Sequence, residues 1–93
     1  MIDIGRALKL ADSTGKVAFG EREAEKAVRT GEAQLIIVAS NYKNEFLTEG
    51  EHGVKLHRYK GNNMELGALC GKPFSVSALA VIEKGSSNIL SLG

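Results

Sequence analysis

The segment from Gly20 to Lys26, which reads GEREAEK, combines basic side chains with the free backbone N–H groups of a predicted helix start. The segment begins a helical pattern directly after an apolar stretch. The N–H groups at such a helix start, together with the helix dipole, suit a phosphate or a base edge. Arg22 and Lys26 are four residues apart and share one face of the helix. The alternative is that the three glutamates of the segment complement the dipole of a solvated helix, and the charge pattern leaves both interpretations open.

An amide and an aromatic side chain are further candidates for contact with a ligand. Asn41 follows an apolar strand pattern, at the edge where open α/β sheets usually bind ligands, and its amide can hydrogen-bond a base edge. It can equally cap a following helix. Phe74, Ser75 and Val76 have the composition of an exposed loop tip. Phe74 is either a platform on which an unpaired base stacks or a core residue, and the residues alone favour the core, since aromatic side chains are usually buried.

Catalytic and metal-binding patterns are absent from the sequence. The stretch from Gly67 to Lys72 has three residues between its glycines and Pro73 after the lysine, so it fails as a phosphate loop. Cys70 has no CxxC partner, and His52 and His57 lie five residues apart across a predicted boundary. Cys70 is predicted to be a small buried hydrophobe. A thiol enzyme that uses Cys70 and a histidine is the competing class of function, disfavoured because no ordered nucleophile, base and orienting group occur.

Composition narrows the class of protein. The 93 residues predict one domain over residues 1–93, and 43% hydrophobic and 25% charged residues are ordinary for a soluble protein. Because the net charge is only +1, any contact with a polyanion must come from a local patch. The single cysteine indicates a reducing compartment, the cytoplasm. No stretch is long and apolar enough for a membrane span or a signal peptide, so we expect no membrane contact. We also expect a free monomer without cofactor or metal, because the apolar strands and helices can bury one core unaided.

Helical and strand patterns alternate along the chain. Helices are predicted from Ile2 to Ala11 with Asp3 as cap, from Glu21 to Thr30, from Asn41 to near Gly53, and from Asn63 or Met64 to Cys70, with a closing turn from Ser86 to Leu90. Strands are predicted at Lys16 to Phe19, Ala33 to Ala39, Val54 to Tyr59 and Ser77 to Ile82. The run AQLIIVA at 33–39 is nearly all apolar and should form the middle of the sheet. The alternation indicates an α/β sandwich with mainly parallel pairing.

Several motifs occur in a characteristic order along nearly the whole chain. They are LIIVA at 35–39 followed by Asn41, GNN at 61–63 running into Glu65-Leu66-Gly67, Gly71-Lys72 with Phe74 and Val76, and the ending GSSNIL at 85–90. Together they resemble the L-thirty-e family of archaeal and eukaryotic large-subunit ribosomal proteins, in the superfamily that also holds the kink-turn binder L-seven-Ae. Single motifs are weak, whereas their order and spacing make a specific match.

The resemblance implies a three-layer α/β/α sandwich around a four-stranded mixed β-sheet whose last strand is antiparallel. It implies a structural protein of the large ribosomal subunit, with neighbouring ribosomal proteins as further partners, that binds a kinked helix–internal loop–helix ribosomal RNA. The RNA-binding residues it implies, all at one end of the sandwich, are Gly20, Glu21, Arg22, Lys26, Asn41, Lys43, Lys72, Phe74, Ser75 and Val76. The alternative within the same class is a general kink-turn binder of RNA modification or processing particles.

Two departures from the superfamily pattern bear on these alternatives. The kink-turn binders carry a Gly-x-Asn-Glu-x-x-Lys motif, of which this chain keeps Gly20, Glu23 and Lys26 but has Arg22 in place of the asparagine. A basic residue there is similar to L-thirty-e, so the ribosomal alternative is favoured. The stretch between Asn41 and Gly53 is shorter than the resemblance leads us to expect, which predicts a truncated helix.

Overall fold

The computed structural model describes residues 3–42 and 54–89. Its helices are α1 (Ile4–Thr14), α2 (Glu21–Arg29) and α3 (Asn63–Leu69), and its strands are β1 (Lys16–Phe19), β2 (Leu35–Val38), β3 (Lys55–Arg58) and β4 (Ala78–Glu83). These seven elements match predicted ones to within three residues at each end. The helix predicted between Asn41 and Gly53 lies almost wholly outside the described residues, as does the end of the closing turn. No helix in the described ranges is long and apolar enough to cross a bilayer.

The four strands form one mixed sheet in the order β1-β4-β2-β3. Strand β4 pairs antiparallel with both β1 and β2, and only β2 and β3 are parallel. The prediction of mainly parallel pairing was therefore wrong, whereas the mixed sheet with an antiparallel last strand is confirmed. The reason is that α3 makes no crossover. The N–H of Val76, just before β4, donates to the carbonyl of Asn63 at the start of α3 (3.0 Å), so the chain returns to the edge of the sheet that it left.

Two apolar cores lie on opposite faces of the sheet. In β2 the alternate side chains Leu35 and Ile37 pack toward α1 and α3, while Ile36 and Val38 pack toward α2. All four are fully buried, which confirms the prediction that this strand lies inside the sheet and is covered on both faces. The result is a three-layer α/β/α arrangement with α2 on one face and the other two described helices on the opposite face.

The start and the middle of α3 determine where the following loop runs. Asn62 is the N-cap, and its side-chain oxygen accepts a hydrogen bond from the N–H of Glu65 (2.9 Å). A Cβ atom at Gly67 would overlap the carbonyl oxygen of Phe74, so only glycine allows the loop backbone to lie directly on the helix. The loop that carries Phe74 is therefore supported from below by α3.

Candidate nucleic-acid interface

Most of the predicted contact residues that the structure describes lie at one edge of the sheet because of strand direction. Phe19 at the end of β1 pairs with Leu79 near the start of β4, and Val38 at the end of β2 pairs with Ala78. Val38 also pairs with Arg58, the last residue of β3. The carboxyl ends of β1, β2 and β3 and the amino end of β4 therefore meet at one edge, here called the carboxyl edge. Open sheets of this class commonly bind ligands at such an edge.

Gly20 joins β1 to α2 at the carboxyl edge. Its φ of 103° lies in the region that favours glycine, and it is the N-cap of α2 without a side chain to cap the helix. Its N–H donates to the carbonyl of Ala78 (2.8 Å), and its carbonyl accepts from the N–H of Ala24 (2.9 Å). The start of α2 is thereby fixed to the start of β4, with Glu21 and Arg22 exposed beside it.

The basic residues of α2 lie at different distances from this edge. Arg22, in the first turn, borders a shallow depression with Glu21 and Glu25. Lys26, one turn further on, lies with Lys16 in a groove beside β1. Because Lys16 begins β1 and therefore lies at the opposite edge of the sheet, Lys26 lies further from the carboxyl edge than Arg22 does.

The segment after β2 forms a tight turn. Ala39 and Tyr42 are buried, and the N–H of Tyr42 donates to the carbonyl of Ala39 (3.1 Å), so that Ser40 and Asn41 project outward. The Asn41 side chain donates through Nδ2 to Oδ1 of Asn63 (3.2 Å). Asn41 is thus exposed and joined to the start of α3. The residues that it would cap, like the predicted contact residue Lys43, lie outside the described part of the chain.

Tyr42 links this turn to α2. Burial raises the pKa of its phenol, and the negative charges of Glu21 and Glu25 raise that pKa further. The hydroxyl oxygen is buried without a hydrogen-bond partner among the described residues, so the two carboxylates act on it through their charge. Because its pKa is raised, the phenol is neutral at physiological pH.

The loop before β4 contains both surface and core residues. Phe74 is 56% exposed, contrary to the expectation that the residues alone favoured, and Ser75 is exposed too. Val76 is only 1% exposed, so the prediction that it belongs to an exposed tip was wrong. The chain turns inward at Val76 to enter β4, and its side chain joins the core beneath α1 and α3.

Lys72 begins this loop with its ammonium directed toward other parts of the protein. Its Nζ lies 3.5 Å from Oδ2 of Asp12 and 4.4 Å from the centre of the Phe19 ring. An ion pair between partly exposed groups is weak, and the ring adds a cation–π contact. Contact between Lys72 and a phosphate would therefore compete with two existing interactions.

Three residues of this edge were missed by the analysis of the sequence. Met64 is 72% exposed and lies with Phe74 along a shallow apolar groove. Asn63 binds Asn41, and Arg58 binds the turn after β2. The signal available for Arg58 was its position next to the last residue of the strand predicted from Val54 to Tyr59, which follows the central strand. That position becomes informative only when the pairing of β3 with β2 is known.

Cys70 and His57 are the described residues of the competing thiol-enzyme hypothesis. Cys70 is buried at the end of α3, as predicted, and His57 is half-buried on β3. Burial raises the pKa of the Cys70 thiol from 9.0 to about 11, an effect that the cations Lys72 and Lys9 oppose and Asp12 supports. With this raised pKa the thiol is protonated at neutral pH. No group of three potential metal ligands occurs among residues 3–42 and 54–89.

We expect Cys70 to react slowly with an aromatic disulfide reagent at pH 7.5 in the native protein and rapidly in urea, since only the thiolate attacks. Because folding raises the pKa of the Cys70 thiol, the contribution of this thiol to the free energy of unfolding is fully present below about pH 9. That contribution is lost as the pH rises toward 11. The free energy of unfolding should fall more steeply over that interval in the wild type than in Cys70→Ala. Rapid native labelling at pH 7.5 would contradict the buried, protonated thiol.

Comparison with known proteins agrees with this fold. The model of the Ribosomal protein L7Ae/L30e/S12e/Gadd45 family matches residues 3–91. The Large ribosomal subunit protein eL30 of Methanospirillum hungatei is 44% identical over 93 residues, which cover 98% of each chain. The eL30 protein of Archaeoglobus fulgidus is 45% identical over 85 residues, covering 90% of this chain and 99% of that protein.

A third relative, the eL30 protein of Methanococcus maripaludis strain C5, is 42% identical over 96 residues, covering 98% of this chain and 91% of that protein. The match extends over both cores and all the loops of the carboxyl edge, and it confirms the resemblance drawn from the motifs. The chain belongs to the ribosomal protein L7Ae/L30e/S12e/Gadd45 family.

Proposed function

We propose that this protein is a structural constituent of the large ribosomal subunit that binds a kinked helix–internal loop–helix ribosomal RNA through the carboxyl edge of its sheet. It acts as a single RNA-binding domain over residues 1–93, on ribosomes in the cytoplasm, and is a monomer when free. It performs no catalysis. The similar proteins of three archaea all carry the name of a large-subunit protein, which supports the ribosomal assignment.

The observation that carries this proposal is the joining of three separate chain segments at one edge by backbone hydrogen bonds. Gly20 is bonded to Ala78, and the N–H of Ala39 donates to the carbonyl of Ser77 (2.9 Å). An uncapped helix start, an exposed amide and an exposed aromatic ring are thereby held on one side of the molecule. Kinked internal loops present phosphates, base edges and unstacked bases together, which these three groups can contact.

The electrostatics favour fitted contacts over general attraction. With a net charge of +1 the protein has little long-range pull on RNA. Lys72 already interacts with Asp12, and Lys26 lies away from the edge. Among the predicted contact cations in residues 3–42 and 54–89, Arg22 is therefore the one nearest to the uncapped helix start. We therefore propose that base and sugar contacts supply much of the affinity.

A general kink-turn binder remains the alternative within the same class. It is disfavoured by Arg22, which replaces the asparagine of the kink-turn motif. Crosslinking the protein in a cell extract of its source and sequencing the attached RNA decides between them. Recovery of one segment of large-subunit ribosomal RNA is the expected result. Recovery mainly of small guide RNAs would instead assign the protein to RNA modification particles.

We expect Arg22→Ala to weaken binding of the cognate kinked RNA by about 1–3 kcal/mol, because a bidentate guanidinium contact to a base would be lost. The loss should fall mainly on the cognate loop and hardly on a scrambled loop, in titrations at several salt concentrations. Arg6→Ala on α1 is the matched control, since it removes an exposed arginine elsewhere.

Two other outcomes of the Arg22 experiment have defined meanings. An equal loss on every RNA, with the salt slope lower by about one unit, would indicate a phosphate contact instead. Unchanged affinity would remove the start of α2 from the RNA surface. A gain of general kink-turn binding by Arg22→Asn would support the distinction between ribosomal and general binders.

Phe74→Ala should weaken RNA binding by about 1–3 kcal/mol if a base or sugar packs on the ring. The free energy of unfolding should change little because the side chain is mostly exposed. Isothermal titration and urea unfolding measure the two effects separately. Leu10→Ala, which removes an exposed apolar side chain from α1, should leave RNA affinity unchanged. A loss of roughly 3–5 kcal/mol of stability in Phe74→Ala would show a core role instead.

A further inference from the structure

Arg58 contacts the backbone of the turn after β2 at three points. Its Nη1 atom lies 3.4 Å from the carbonyl oxygen of Ala39, 3.4 Å from that of Ser40 and 3.3 Å from that of Tyr42. Each distance is long for a hydrogen bond, so each contact is weak alone. Together they are informative, because three carbonyl oxygens of one turn contact the same nitrogen of the cationic guanidinium.

This convergence follows from the shape of the turn after β2. Because the side chains of Ala39 and Tyr42 are buried, both ends of the turn lie against the core. The carbonyl oxygens of Ala39, Ser40 and Tyr42 all lie within 3.4 Å of one nitrogen of Arg58 on β3, so their like partial charges are brought near one another. A guanidinium is the side chain best suited to that position, since it is always charged and offers several donors in a fixed geometry.

A second set of hydrogen bonds joins the turn to the segment that leads into α3 and to the first residue of that helix. The N–H of Ser40 donates to the carbonyl of Gly61 (2.9 Å), and the Asn41 side chain donates to Asn63 (3.2 Å). The turn is therefore held from two sides, by a strand and by a helix start. Both supports lie outside the three segments predicted to contact RNA.

We propose that Arg58 is a positioning residue that holds the turn at residues 39–42 in the conformation that presents Asn41 to RNA. The inference rests on the proposed function, since it concerns how the same surface is prepared for its ligand. A turn that is ordered before binding avoids the entropic cost of ordering it in the complex. The Arg58 guanidinium acts through the carbonyls of the turn and through Asn41, without contact to a phosphate.

The test is a double-mutant cycle on RNA affinity with Arg58→Ala, Asn41→Ala and the double variant. The probe is a kinked helix–internal loop–helix fragment of large-subunit ribosomal RNA. Arg58→Ala should weaken binding about fivefold to tenfold in the wild-type background and less than twofold when Asn41 is already alanine, because the two residues act through one contact. The salt slope should not change. Lys55→Ala, which removes a cation from the other end of β3, should have no effect.

A second measurement uses the free protein. Backbone amide hydrogen exchange at Ser40 and Tyr42 should become several-fold faster in Arg58→Ala and stay unchanged in Lys55→Ala, at equal global stability. Equal losses of RNA affinity in both backgrounds, with a salt slope lower by about one unit, would overturn the proposal in favour of a phosphate contact. Unchanged exchange together with absent coupling would also overturn it.

The failure of this inference is distinguishable from failure of the proposed function. If the wild-type protein binds the kinked fragment and Arg58 shows no coupling to Asn41, only the positioning role is wrong. If the wild-type protein binds neither this fragment nor any RNA crosslinked in extract, the proposed function is wrong and the positioning role falls with it.

Discussion

The burial of β2 inside the sheet is the constraint on which the rest of the structure depends. Its four side chains are fully covered on both faces of the sheet, and its backbone pairs with β4 on one side and with β3 on the other. Such a strand can expose functional groups only where it ends. The turn at 39–42 is that end, and the neighbouring strands bring Gly20 and the loop before β4 to the same place. The position of the candidate interface therefore follows from packing.

At the carboxyl edge, backbone contacts hold the chain in place while a few functional groups are exposed. Backbone hydrogen bonds join Gly20 to Ala78 and Ala39 to Ser77, while Gly67 lets the Phe74 loop lie on α3. The projecting groups are few and differ in kind: an amide, an aromatic ring, a guanidinium and a helix start. A protein with almost no net charge can gain affinity from such a set only if its geometry is held before binding, since each freely rotating side chain loses entropy when it is ordered.

Several charged residues near the candidate interface interact with groups that are far away in the sequence. Lys72 lies between Asp12 and the Phe19 ring, and the carboxylates of Glu21 and Glu25 act on the buried phenol of Tyr42. A pattern of charges along the chain cannot show these relations, because the partners are far apart in sequence. Glu21 and Glu25 on α2 therefore act electrostatically on Tyr42 in the turn at residues 39–42.

Periodicity and capping residues in the sequence alone determined the seven described elements, the central place of β2 and the burial of Cys70, because these depend on local pattern and hydrophobicity. The motifs also determined the family. The alternation of helices and strands predicted mainly parallel pairing, and the resemblance to the family supplied the antiparallel last strand. Only the tertiary structure decided that Val76 is core while Phe74 is exposed, and that Arg58 and Asn63 support the turn of Asn41. These features depend on how a loop returns over α3 and on which strand ends become neighbours. Such contacts between distant residues leave no periodic signal in the chain.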